Sequence, residues 1–139
     1  MVKSTFEANY KNLDTIRDYV ARSAQDAGLS EREIYAVQLA ADEASTNIIE
    51  HAYRGDEGGT IEIECESVPG KLTVTLRDRG KPFDPESVPE PNVKADLRNR
   101  KVGGLGMYLI RKLMDEVHYE TSEGEGNTLR LVKISESIV

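Results

Sequence analysis

Glu43, Asn47, Glu50 and His51 fall within the stretch LAADEASTNIIEHAY (residues 39–53), at spacings of three, four and seven. Those spacings put them on neighbouring turns of one helical face. Apolar Ala40, Ala41, Ala44, Ile48, Ile49 and Ala52 lie between them. A carboxylate can take up a proton or orient a nucleophile, and an amide oxygen is a neutral ligand for a hard cation such as Mg²⁺. A solvated polar helix face carries the same residue types, so this pair alone does not fix a chemistry. A second candidate is RDRGKPFDP (77–85), in which Asp78 ends a strand and Gly80 follows. A strand-end Asp can accept from an exocyclic amine, and glycine lets a ligand approach the backbone; both are also ordinary turn residues. The third is KVGGLGMYLI (101–110), with Gly103, Gly104 and Gly106 at a helix start. Such a start offers free N–H groups and a positive dipole end to an anion. Glycine is a poor helix former, so three in one turn imply either phosphate binding or a hinge. Neither the Walker A pattern nor a G-x-G-x-x-G after a strand is present.

The elements that must position these residues follow from periodicity. KSTFEAN (3–9) reads as a short strand. Asn12 or Asp14 caps a helix through Ala27, with Ile16, Val20 and Ala24 inward and Gly28 after its end. Ser30 and Glu33 form a capping-box pattern that opens a helix over 31–53. Its inward stripe is Ile34, Val37, Ala41, Ala44, Ile48 and Ala52. TIEIECES alternates strictly, as does KLTVTLRD, and the VPGK turn joins them into a hairpin. Residues 78–102 hold four of the five prolines and form a long connection, a length usually reserved for function. A helix is expected over 103–117, then strands HYET and NTLRLVKI around SEGEGN. The order β-α-α-β-β-loop-α-β-β predicts an α+β fold, a two-layer sandwich with a mixed, mostly antiparallel sheet covered on one face by about three helices.

The 139 residues suggest a single domain over 1–139. A net charge of −7 and a pI near 4.9 argue against bulk attraction to nucleic acid. No apolar run approaches the ~20 residues of a membrane span, and no secretory signal opens the chain. Cys65 is the only cysteine, so no internal disulfide or cysteine cluster forms. A cytoplasmic protein is expected.

Together and in this order the segments are more specific. DEASTNIIEHAY, DRGKPFDP and GGLGMYLI resemble the Asn-containing box and the two glycine boxes of the GHKL ATPase superfamily. GNTLRL (126–131) is similar to its closing strand. The resemblance covers nearly the whole chain and extends to the small anti-sigma-factor serine kinases of the RsbW/SpoIIAB type. It implies the GHKL (Bergerat) fold, with ATP and Mg²⁺ as cofactors. Asn47 would hold Mg²⁺ against the phosphates, and Glu43 would be the general base. Asp78 would bind the adenine amine, Gly80 would give the base room, and Thr128 would support the adenine site. Gly103, Gly104, Leu105 and Gly106 would line the phosphates. Residues 86–102 would form a lid from which Arg100 or Lys101 reaches the γ-phosphate. His51 reads as packed or hydrogen-bonded rather than catalytic. Pro82 stands where the first glycine box often has a second Gly, and the lid is short. No helix resembles the phosphorylatable dimerisation helix of a full histidine kinase. The implied function is serine phosphorylation of a small anti-sigma-antagonist protein together with sequestration of a sigma factor, with a homodimer left open. The alternative is a nucleotide-gated binding module; Glu43 favours the enzyme, because a pure binder needs no base there.

Overall fold

The computed structural model describes residues 1–53, 58–81, 104–122 and 124–136. The chain opens with β1 (Val2–Glu7) and a 3₁₀ turn (Tyr10–Asn12), followed by α1 (Leu13–Asp26) and α2 (Glu31–Asn47). α2 runs directly into a π turn (Ile48–Ala52). Then come β2 (Thr60–Val68), β3 (Lys71–Asp78), α3 (Gly104–Leu113), β4 (Glu116–Ser122) and β5 (Gly126–Ile134). Among the described residues the helices and strands follow the predicted order, and most of the expected connection over 78–102 lies outside them. Among the described residues no helix is long and apolar enough to cross a membrane.

The five strands lie in the order β1-β2-β3-β5-β4. The expectation of a mixed sheet is corrected: among the described residues every pairing is antiparallel. β3 and β4 run in the same direction, but β5 sits between them and pairs with both, so no parallel ladder forms.

Alternation assigns the two faces of the sheet. Ile61, Ile63 and Cys65 of β2, Leu72, Val74 and Leu76 of β3, and Leu129 and Leu131 of β5 are buried in one core with α1, α2 and α3. α1 contributes Ile16, Val20 and Ala24; α2 contributes Val37, Ala40, Ala41 and Ala44; α3 contributes Met107 and Ile110. The intervening residues, among them Glu64, Arg77, Thr128 and Arg130, line the opposite face, left uncovered by the described residues.

Helix ends follow local chemistry. The Ser30–Glu33 capping box forms as predicted, with Ser30 N–H donating to Glu33 Oε1 at 2.8 Å and Glu33 N–H to Ser30 Oγ at 3.2 Å. Asn12 is the N-cap residue of α1 but makes no side-chain cap; its amide donates to the Glu7 carbonyl, and Asn9 caps the 3₁₀ turn instead. Gly28, at φ +81, ends α1. The last helix stops four residues short of the expected 117. Asp115 N–H donates to the Val132 carbonyl, which commits Glu116 and Val117 to the strand ladder with β5.

Candidate functional site

Glu43 and Asn47 lie one turn apart at the end of α2, and α3 crosses close above them. The contact point is Gly106. A Cβ at that position would stand 3.0 Å from Asn47 Nδ2 and 3.2 Å from both Asn47 Oδ1 and Glu43 Oε2. The glycine therefore lets a helix start approach the two polar side chains, and the amide and the carboxylate converge on one spot. Gly104 and Leu105 form the first residues of α3. Gly103, the lid candidates 86–102 with Arg100 and Lys101, and Pro82 lie outside the described residues.

Beside this convergence is a pocket between the helix layer and the sheet. Ala44, Ile48, Met107 and Leu129 give it apolar walls; Asn47, His51 and Asp78 supply polar groups. The π turn shapes one side. Tyr53 N–H closes it onto the Ile48 carbonyl at 3.0 Å, one residue further along than an α turn would close. The expected helix over 31–53 thus changes type at Asn47. Lys81 N–H donates to the Ala52 carbonyl at 2.7 Å, and a Cβ at Gly80 would collide with the Ala52 backbone. The room that Gly80 provides is thus taken by the end of α2 rather than left open for a base.

Asp78 floors the pocket at the end of the sheet, and Asn127 backs it from the cleft on the other side. Continuing the inward alternation of β3 and β5 past Leu76 and Leu129 brings Asp78 and Asn127 into register on the core face. Asp78 is 7% exposed and Asn127 2%. Asn127 Nδ2 donates to Asp78 Oδ1 at 2.8 Å and to the Gly80 carbonyl at 3.0 Å. Gly80 N–H donates to the same Asp78 oxygen at 2.9 Å. Burial pushes the Asp78 carboxyl above the usual carboxylate range, while the donors from Asn127 and Gly80 pull it back down.

The expectation for Thr128 is corrected. Strand alternation puts it on the uncovered face, paired with Arg77 and Glu120. Its neighbour Asn127 bonds Asp78, and the period-2 pattern of NTLRLVKI holds the signal that identifies it. His51 is half-buried and lines the pocket, and its Nε2 is buried with no hydrogen-bond partner among the described residues. Glu50 is exposed and accepts from the Tyr10 hydroxyl. Among the described residues no group of three or more His, Cys, Asp or Glu is placed to hold a metal. A divalent cation here would rely on Asn47 and on oxygens of the ligand, the mode suited to Mg²⁺ on a triphosphate.

The profile of the histidine kinase-like ATPase domain matches residues 6–133. The serine-protein kinase RsbW of Listeria innocua is 37% identical over 105 residues, covering 73% of this chain and 67% of that protein. RsbW of Halalkalibacterium halodurans is 31% identical over 136 residues, covering 95% and 82%. RsbW of Bacillus subtilis is 32% identical over 115 residues, covering 78% and 71%. Among solved structures, the catalytic domain of the histidine kinase ThkA superposes with a TM-score of 0.54 at 16% identity, covering 97% of both chains. With the sheet, the helix layer and the Asn47–Asp78 pocket in place, this match over nearly the whole length means that the chain belongs to the histidine kinase-like ATPase domain family.

Proposed function

We propose that this protein is an ATP-dependent serine-protein kinase of the RsbW type, folded as one domain. The observation that carries the reading is the convergence of Glu43 and Asn47 on Gly106, beside a pocket floored by a buried carboxylate. The donor set suits ATP. Asp78 accepts from the adenine amine, the apolar walls take the base, and the free N–H groups at the start of α3 suit a phosphate. Bound Mg²⁺ would be held by the Asn47 amide oxygen and would neutralise charge on the phosphates. Glu43, one turn before it, takes the proton of the attacking serine hydroxyl. The serine oxygen forms the new bond to the γ-phosphorus as the bond to the β–γ bridging oxygen breaks and ADP leaves. The remaining catalysis is positioning and electrostatics.

By the same reading, the substrate is a serine on a small anti-sigma-antagonist protein. A sigma factor is the second partner, and the protein acts in the cytoplasm as a monomer or homodimer. The test incubates the protein with γ-labelled ATP, Mg²⁺ and a candidate anti-sigma-antagonist protein. Label on an antagonist serine is the expected result. ATP binding without any transfer, joined to tighter sigma-factor binding in the presence of ATP, would replace the kinase with a nucleotide-gated binder.

A further inference from the structure

Asp78 does not meet the pocket alone. The Thr121 hydroxyl of β4 donates to Asn127 Oδ1 at 2.8 Å, and the two residues are in register across the β4–β5 ladder. The Gly80 carbonyl can only accept, whereas the Thr121 hydroxyl can donate or accept, so the carbonyl fixes which end of the amide is which and the hydroxyl donates to the oxygen left over. The Asn127 NH₂ must then point at Asp78 and at the Gly80 carbonyl, as observed. Both donors to the carboxylate converge on Oδ1, and Oδ2 receives neither.

Adenine and guanine differ where this matters: adenine carries an amine donor, guanine a carbonyl acceptor, at the same ring position. An ionised carboxylate can only accept. A protonated one offers an O–H, which satisfies guanine's carbonyl. We infer that the Thr121–Asn127 relay is the specificity-determining device of the pocket, holding Asp78 as a pure acceptor so that adenine is selected over guanine. The inference rests on the nucleotide reading above. Its physical need is plain: burial favours the neutral acid, and the amide donor opposes that.

Other groups around Asp78 are accounted for. His51 from the π turn, Lys81 beyond β3 and Tyr119 from β4 line the same pocket. Arg79 is next in the chain and lines the cleft on the far side of the pair. α2 and α3 contribute Asn47 and Met107, which do not titrate.

The test is calorimetric titration of ATP and of GTP at pH ~6 and pH ~8 for wild type, Asn127→Leu and Thr121→Val, with folding checked by circular dichroism. The wild-type ATP-to-GTP affinity ratio should stay within about twofold between the two pH values, and that of Asn127→Leu should fall about tenfold at the lower one. Thr121→Val, at the edge strand, should shift in the same direction by less and keeps the test open if Asn127→Leu does not fold. A parallel loss of both affinities, with the ratio unchanged at both pH values, overturns the relay and leaves Asn127 as packing. A wild type that binds neither nucleotide overturns the nucleotide reading itself, and the relay with it.

Discussion

At the residue scale, the roles proposed for Glu43 and Asn47 are separable although one turn divides them. Glu43→Ala should lower phosphoryl transfer by ~10²–10⁴-fold, the usual contribution of a general base, with ATP affinity roughly intact. Asn47→Ala should weaken both Mg-nucleotide binding and transfer. Single-turnover assays beside calorimetry distinguish the two; full transfer by Glu43→Ala removes it as the base. Gly106→Ala separates binding from stability in another way. Alanine improves helix propensity by ~1 kcal/mol over glycine, yet its methyl group would press on Asn47 and Glu43. The expected outcome is a melting temperature near wild type with weakened Mg-ATP binding. Asp78 is a stability liability at neutral pH. Its carboxyl is raised in the folded state, so its contribution is fully present below the unfolded carboxylate range and is lost as pH rises through the folded value. Asp78→Asn should therefore melt higher than wild type at neutral pH, with the gap narrowing on acidification, while binding ATP worse. A lower melting temperature at neutral pH would refute the assignment.

At the scale of elements, α2 is fixed at one end and shaped at the other. Glu33 closes the capping box and, through Oε2, accepts from Glu136 N–H at 2.8 Å. These backbone bonds hold its carboxyl below the usual range, so this contribution is present at neutral pH and lost as pH falls through the folded value. Glu33→Ala should cost about 1–2 kcal/mol in denaturant unfolding at neutral pH, with the loss fading in acid. Ser45, fully buried with a hydroxyl that has no hydrogen-bond partner among the described residues, should tolerate alanine with a gain in stability. These elements were legible unevenly. Strict alternation made β2 and β3 plain, and the Ser-x-x-Glu pattern placed the start of α2. The change to a π turn after Asn47 was not legible, because the apolar stripe through Ile48 and Ala52 suits a continuing α-helix equally well. Asn127 was missed for a related reason: GNTLRL was matched by residue type, which favours Thr128, whereas the side-chain period of the strand decides which residue faces the core.

At the scale of the whole molecule, the helix layer covers one face of the sheet and the candidate site residues gather at one edge of that layer, where α2, α3, β3 and β5 meet. Ligand binding there should stabilise the entire fold. Saturating Mg-ATP at ~100 times its dissociation constant adds about 2.7 kcal/mol, which thermal melts should register as a clear upward shift. Chelating Mg²⁺ should shrink that shift and GTP should give little of it; equal shifts with and without Mg²⁺ would argue against Asn47 as a ligand. The π turn carries a consequence of a different kind. Its ring holds one residue more than an α turn, so the seating of Ala52 against Gly80 and Lys81 depends on chain length rather than on side-chain chemistry. Point substitutions over 48–52 leave that count unchanged. Losing a single residue there would close the ring as an ordinary α turn, shift the frame of everything after it by one position, and take Ala52 away from the sheet end.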